Sequence, residues 1–166
     1  MTNELVFIRI APRRVSRPLF AALAISCAWF GGVGAALADD SVDVQVWAIR
    51  ATTKNSEISP ELKPLVEELK KSFKYTGYKL ERRATGSAGA GKSYDGDLIG
   101  GYRISVEPDG KDGKRIKLRL GVTKTENGKA KPVLKTSATI DPGKFQVLGG
   151  WKLDGDDVLL AAVSAK

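Results

Sequence analysis

Alternation of apolar and polar residues near the start of the sequence predicts a β-strand. Val42, Val44 and Val46 alternate with polar or larger residues, which is the period of two that a half-buried strand shows. Residues 48–51 then place apolar side chains on both faces. We therefore predict a strand over residues 42–53 that is covered on two sides, with Trp47 in the core.

A stripe of apolar residues at helical spacing follows a short loop. The stripe consists of Leu62, Leu65, Val66, Leu69 and Phe73. Ser59 is a suitable N-cap, and Pro60 suits the first helical position. Because proline lacks a backbone N–H, Pro64 is an alternative start. We predict one amphipathic helix here, with Gly77 as its C-terminal stop.

The rest of the sequence predicts strands and turns. The predicted strands are residues 78–85, 102–106, 116–122, 133–140, 145–148 and 158–163. Residues 86–97 are rich in Gly, Ser and Ala and predict a loop. Turns are expected at Pro108-Asp109-Gly110, Asn127-Gly128, Asp141-Pro142-Gly143 and residues 154–157. Gly149-Gly150 is expected to separate the last two strands as well. Short connections favour antiparallel pairing. The expected fold class is α+β, mainly β: an antiparallel sheet or sandwich-like domain with one amphipathic helix packed on it.

The first 38 residues have the pattern of a cleavable export signal rather than of a fold. Arginines including Arg13 and Arg14 precede an apolar run over residues 19–30, and Ala36-Leu37-Ala38 is a typical cleavage site. The run is shorter than the roughly 20 residues that span a bilayer. We predict a signal peptide over residues 1–38, a single domain over 39–166, and a periplasmic or extracellular location. Lipidation at Cys27 is the alternative, and it or an uncleaved signal would be the only membrane attachment.

Charge and residue counts narrow the chemistry. The chain has 27 Lys and Arg against 19 Asp and Glu, a formal net charge of +8, with one Cys and no His. Loss of the signal would remove four Arg, one Glu and Cys27, and leave 23 basic and 18 acidic residues. Without His or Cys, the remaining chain has no His-dependent nucleophile, no imidazole or thiolate metal site and no disulfide. We expect no catalytic residues, no metal and no cofactor.

One segment matches a nucleotide-binding motif at every fixed position. Residues 86–93 fit G-x-x-x-x-G-K-[ST], in which Gly86, Gly91, Lys92 and Ser93 would surround a nucleotide phosphate. That motif requires a buried strand before the loop and a helix beginning at the lysine. Polar residues precede the segment here, and Gly and Asp follow it. We therefore interpret the match as chance and disfavour a P-loop NTPase.

Two further groups have an ordinary structural interpretation. Asp154, Asp156 and Asp157 surround a glycine, and carboxylates at such spacing can bind Ca²⁺. The rest of a calcium loop is missing, so a tight turn before the last strand is preferred. Trp151 follows two glycines and is expected to be in the core, to cap one end of a sandwich or to be exposed.

A basic segment is the clearest functional hint. Residues 111–135 contain nine Lys and Arg, opposed only by Asp112 and Glu126. Strand alternation places Lys117 and Arg119 opposite the apolar face. The candidate binding residues are Lys114, Arg115, Lys117, Arg119, Lys124 and Lys135. A cationic surface attracts polyanions. The alternative is a solvated face whose lysines prevent edge aggregation.

These patterns leave two classes of function open. The first is an exported, non-catalytic envelope or secreted module with a protein-interaction or structural role. The second is a polyanion-binding domain that binds acidic polysaccharide or lipid head groups through the 111–135 hairpin. Nucleic acid is not expected as a partner, because this segment contains no aromatic residue for base stacking.

Overall fold

Eight strands and one short helix form residues 41–166, the part of the chain that the computed structural model describes. The strands are β1 (Val42–Thr52), β2 (Gly77–Ala88), β3 (Tyr94–Asp97), β4 (Tyr102–Asp112), β5 (Arg115–Glu126), β6 (Lys129–Ile140), β7 (Phe145–Lys152) and β8 (Val158–Ala165). A 3₁₀ turn at Pro60–Leu62 and helix α1 (Val66–Ser72) lie between β1 and β2. The predicted α+β, mainly β class is confirmed. The predicted export signal, residues 1–38, and the lipidation alternative at Cys27 lie outside the described residues.

The strands form two four-stranded antiparallel sheets. Sheet A has the order β2-β1-β8-β7, and sheet B has the order β3-β4-β5-β6. The chain passes from sheet A to sheet B after β2 and returns to sheet A after β6. At these two crossings the consecutive strands remain in contact, β2 with β3 and β6 with β7. Each strand therefore lies beside its neighbour in sequence, and β8 returns to pair with β1. This order follows from short connections.

The main core lies between the two sheets. Inward-facing residues of β1 and β8 contact those of β4 and β5, and the burial pattern alternates along β5 as its sequence predicts. The central members are Val44, Val46, Leu159, Ala161, Val163, Ile104, Val106, Leu118, Leu120 and Val122. Burying each of the larger side chains contributes about 1.5–3 kcal/mol relative to exposure. The space between the sheets is thus filled by the protein's own side chains.

A second core covers the opposite face of sheet A. Trp47, Ile49 and Ala51 of β1 and Leu160 and Ala162 of β8 form the sheet side of this cluster. The segment between β1 and β2 supplies the cover, through Leu62, Leu65 and Leu69. β1 is consequently buried on both faces, as its sequence predicts, and Trp47 is only 5% exposed. The helix lies on the outside of the sandwich, as a third layer.

The helix is shorter than the sequence predicts. Pro60 begins only a 3₁₀ turn, Pro64 falls in the interruption, and α1 starts at Val66. Phe73 already has an extended backbone, and Gly77 begins β2 instead of ending the helix. The predicted stop at Gly77 is therefore wrong. Pro64 has no N–H to donate to the carbonyl of Pro60, one helical turn earlier, which explains the broken start.

The predicted loop over residues 86–97 is also wrong. β2 continues through Ala88, residues 89–93 form the turn, and β3 (Tyr94–Asp97) follows. The ring of Tyr94 lies against Gly86, where a Cβ atom would overlap it. Glycine in this strand therefore permits a close approach between β2 and β3, and does not mark a loop.

Two predicted breaks lie inside strands as well. Pro108-Asp109-Gly110 is a bulge within β4, and the chain turns later, at residues 113–114. β3 pairs with β4 only as far as Val106, so one flank of Pro108 has no partner strand. Gly149-Gly150 is likewise a bulge within β7.

Other predicted turns and the position of Trp151 agree with the structure. Asn127 and Gly128 have φ values of 51° and 73°, as a two-residue hairpin turn between β5 and β6 requires. Residues 141–144 turn between β6 and β7. Trp151 packs at the margin of the inter-sheet core and stacks on Tyr102 with ring centroids 6.0 Å apart. It therefore caps the core, one of the predicted alternatives.

We expect Gly149→Ala to destabilise the fold more than Gly150→Ala. Both glycines have positive φ, 146° and 97° respectively, so both substitutions strain the backbone. Only at Gly149 would a Cβ lie 2.6 Å from the Leu159 oxygen, whereas at Gly150 it would meet nothing within 4 Å. Urea unfolding should show Gly149→Ala to be less stable than Gly150→Ala by about 2 kcal/mol. Equal losses would mean that β7 does not pack this closely against β8.

Candidate functional site

The outer face of sheet B carries most of the predicted cationic residues. In β5 the exposed positions alternate with the buried ones, so Arg115, Lys117 and Arg119 point away from the core. Lys135 of β6 pairs with Gly121 of β5 and is exposed on the same face. Four of the six candidate residues therefore share one surface.

Carboxylates neutralise Arg115 and Arg119 on this face. Arg119 Nη2 lies 3.0 Å from Glu107 Oε1 and 2.8 Å from Asp109 Oδ1, both on β4. Arg115 Nη2 lies 3.0 Å from Asp112 Oδ2. Glu107 and Asp109 precede the basic segment in sequence, so counting charges in that segment alone overstates its positive field.

Four lysines of the hairpin make no ion pair within residues 41–166. They are Lys114, Lys117, Lys129 and Lys135. Lys114 lies in the turn before β5, and Lys129 lies just after the turn that ends it. Because β5 has 12 residues, these ends are separated by about 40 Å at the rise of a strand. The four unpaired charges are therefore spread along the length of the hairpin, and we call them the lysine stripe. Lys117 and Lys135 lie on its outer face, whereas Lys129 pairs in the strand register with Glu126, on the side that Lys124 occupies.

Lys124 does not belong to this surface. Its Nζ atom lies 5.2 Å from the centre of the Tyr102 ring and 3.0 Å from Glu126 Oε1. The hydrogen bond to Glu126 is the main cause that raises the pKa of Lys124. Hydrogen bonds from Lys124 and Lys131 lower the pKa of Glu126 in turn. Lys124 is thus engaged at one end of the sandwich, near Tyr102.

A groove crosses the outer face of sheet B at Gly121. Its volume is about 820 Å³, and strands β3 to β6 all line it. Ser105 of β4 and Lys135 of β6 flank Gly121 directly, and Arg119 and Thr123 lie two positions before and after it on β5. The backbone of Gly121, which carries no side chain, therefore forms the floor of the groove. Sequence reasoning identified the cations of this face but did not single out Gly121.

The segment that matches the nucleotide-binding motif lies at a different edge. Gly86 is within β2, Gly91 and Lys92 lie in the turn, and the hydroxyl of Ser93 donates to Asp95 Oδ2 at 3.2 Å. Strand β3 follows the turn. No helix begins at Lys92, so this turn has no helix N-terminus to face a phosphate. The interpretation as a chance match stays our prediction.

Asp157, a member of the predicted aspartate turn, pairs with basic residues. Asp157 Oδ2 lies 3.3 Å from Arg50 Nη1, and Oδ1 lies 3.7 Å from Lys54 Nζ. A hydrogen bond from Thr52, together with the charges of Lys54 and Arg50, lowers the pKa of Asp157. Within residues 41–166 there is no group of three or more His, Cys, Asp or Glu side chains arranged to hold a metal ion.

Comparisons with known proteins give no family for this fold and surface. No protein-family model, curated protein or solved structure matches the chain. Among the described residues, no helix has both the length and the apolar character needed to cross a membrane. The functional argument therefore depends on the surface of sheet B itself.

We expect Asp157→Asn to lower the melting temperature at neutral pH, because Arg50 and Lys54 lose a negative partner. The ordinary pKa of this carboxyl is 3.8, and the folded state lowers it. Its stabilisation is therefore present above that pH and is lost as pH falls through the lower folded pKa. Thermal melts from pH 7 to pH 2 should show the difference between wild type and variant shrinking in acid.

The matched control is Asp156→Asn, at an exposed aspartate with no ion pair within residues 41–166. It should leave the melting temperature nearly unchanged. A wild-type to Asp157→Asn difference that stays constant down to pH 2 would contradict the assigned ion pairs.

Proposed function

We propose that this protein is an exported, non-catalytic binding module whose ligand is an anionic polymer bound along the β5–β6 hairpin. The observation that carries the proposal is the stripe of four unpaired lysines, Lys114, Lys117, Lys129 and Lys135. Neighbouring arginines are held by carboxylates, whereas these ammonium groups have no partner within residues 41–166. Their charge is available to an external anion.

The length of the stripe favours a polymer over a small anion. A single phosphate or carboxylate would contact one or two lysines, whereas the stripe extends for about 40 Å along β5. A linear polyanion can follow the whole hairpin and interact with successive lysines. The repeated weak contacts then add up to useful affinity.

The chemistry of the surface favours acidic polysaccharide over lipid or nucleic acid. Membrane-surface binding usually adds exposed apolar or aromatic anchors. Among the described residues, Val133, 40% exposed, is the one large hydrophobic side chain that is exposed. Single-stranded nucleic acid binding usually adds aromatic stacking platforms. The segment from Lys111 to Lys135 contains no aromatic residue.

Export is the second part of the proposal. The pattern of residues 1–38 supports it, and so does the lack of Cys after Cys27. The polymer would then be one of the cell envelope or of the extracellular space. The absence of His in the whole sequence is compatible with a binding role, since most acid–base and nucleophilic machinery at neutral pH employs His.

We expect the double variant Lys117→Gln/Lys135→Gln to bind a carboxylated polysaccharide such as polygalacturonate about tenfold more weakly than wild type. Both lysines face outward from adjacent strands, so their loss removes the centre of the stripe. Binding would be measured by calorimetric titration from about 20 mM to about 300 mM salt, because screening should weaken the wild-type interaction steeply over that range.

Lys70→Gln/Lys71→Gln is the matched control, since it removes the same charge from exposed positions on α1. It should retain nearly wild-type binding. Equal weakening by the two double variants would mean that net charge alone drives the interaction. Wild-type affinity that does not change with salt would contradict the proposal.

A further inference from the structure

Gly121 is an unfavourable residue for its position, and the fold does not require it. Glycine weakens the interior of a strand, and Gly121 lies in the middle of β5. The φ angle of Gly121 is not in the positive range that favours glycine. Gly121 also lies outside the positions where the register shifts in the β4–β5 and β5–β6 pairs. A Cβ at Gly121 would meet only the Ser105 Cβ, at an ordinary 3.8 Å. The backbone and its neighbours would therefore accept a larger residue.

Strand register places charged and hydroxyl side chains around this gap. Residues directly opposite across strands have Cβ atoms about 5 Å apart, and diagonal neighbours lie about 7–8 Å apart. The residues within that range on the outer face are Ser105, Lys135, Arg119, Thr123, Arg103, Glu107 and Ser137. Gly121 is thus surrounded by three cations, three hydroxyl groups and one carboxylate, all of which line the groove. A second carboxylate, that of Asp95 beside Ser105, and the ring of Pro132 beside Thr123 line the groove farther from Gly121.

The ion pairs leave cationic groups available at this gap. Glu107 is already held by Arg119 at 3.0 Å, and Arg103 Nε lies 2.8 Å from Asp97 Oδ1. Lys135, which pairs directly with Gly121, makes no ion pair within residues 41–166. Both arginines are more than half exposed and keep further N–H groups that can donate. An anion seated over Gly121 would face Lys135 without displacing the existing pairs.

We propose that the groove at Gly121 is the specific subsite of the anionic-polymer surface, and that it seats one uronate unit of an acidic polysaccharide. This inference rests on the proposed function. The carboxylate would lie over Gly121 and accept from Lys135 and an adjacent arginine, while Ser105, Thr123 and Ser137 hydrogen-bond sugar hydroxyls. Without a side chain, Gly121 lets the sugar approach the strand backbone.

The shape and polarity of the groove favour a uronate over other anionic ligands. A groove of about 820 Å³ lies within the range of small-ligand sites and holds a few sugar units. Its hydroxyl lining suits a ligand that carries hydroxyl groups beside its charge. A bilayer surface is too flat to enter a groove of this kind, and its head groups would contact the rim lysines alone.

Gly121→Val tests this subsite directly, because it fills the floor and leaves every charge in place. Valine suits a strand and meets only an ordinary contact here, so thermal melting should be unchanged or slightly higher. We expect calorimetric titration with polygalacturonate oligosaccharides to show affinity about tenfold below wild type. Thr125→Val, on the same strand but outside the groove, is the control and should bind within about twofold of wild type.

The outcomes separate this inference from the proposed function. One outcome is that Gly121→Val binds like wild type while Lys117→Gln/Lys135→Gln binds weakly. In that case the proposed function of the lysine stripe stands, and the proposed subsite at Gly121 is overturned. If wild type does not bind polygalacturonate, both proposals fail for this polymer class. If wild type binds anionic phosphatidylglycerol vesicles more tightly than the oligosaccharides, the uronate assignment is overturned. In an NMR titration with polygalacturonate oligosaccharides, shifts of the Gly121 and Lys135 amide resonances would support the uronate subsite. Neutral dextran, the control, should leave these resonances unchanged.

Discussion

Burial of β1 and β8 on both faces is the constraint on which the rest of the structure depends. These two strands are the centre of sheet A, and their side chains alternate between the inter-sheet core and the layer beneath α1. An apolar strand face left open to water would cost the free energy of that burial and invite association. Sheet B must therefore cover one face, and the segment between β1 and β2 must cover the other.

This constraint leaves sheet B with a free outer face. Its inner side chains are committed to β1 and β8, and in the described region no helix packs on its outside. Polar and charged residues on that face carry little of the folding energy, so they can be arranged for another purpose. The pairing of arginines with carboxylates, beside lysines left unpaired, occurs on this face.

The sequence predicted the strands and their faces much better than it predicted the interruptions. Period-two alternation in β5 and two-sided burial in β1 depend on the separation of apolar and polar residues, which is visible locally. Gly86, Pro108 and Gly149 were each expected to end or separate strands, because their local preferences favour loops. Each instead lies within a strand, where a neighbouring strand provides the close contact, open edge or bulge that accommodates it.

Prediction of the candidate site was limited in the same way, because local patterns do not show which strands pair. Lys117 and Arg119 could be assigned to one face from alternation alone, whereas the carboxylates that neutralise Arg119 come from β4 and required the cross-strand register. Lys124 was grouped with the others by proximity in sequence, yet its side chain contacts Tyr102. The sequence did not identify Gly121, because a single glycine within a strand does not by itself predict a groove. Its meaning depends on Ser105 and Lys135, which only the register places beside it.

The pairing of the first strand with the eighth has a kinetic consequence. Val44 pairs with Ala165, and the backbones of Asp43 and Lys166 exchange hydrogen bonds in both directions, at 2.9 and 3.0 Å. The centre of sheet A therefore forms from segments that are far apart in sequence, and such contacts make folding slow. Until β8 is present, β1 has only β2 beside it, and β7 has nothing to pair with in sheet A. A nascent chain of this topology therefore stays incompletely folded until its last strand has been made, and its central sheet forms late.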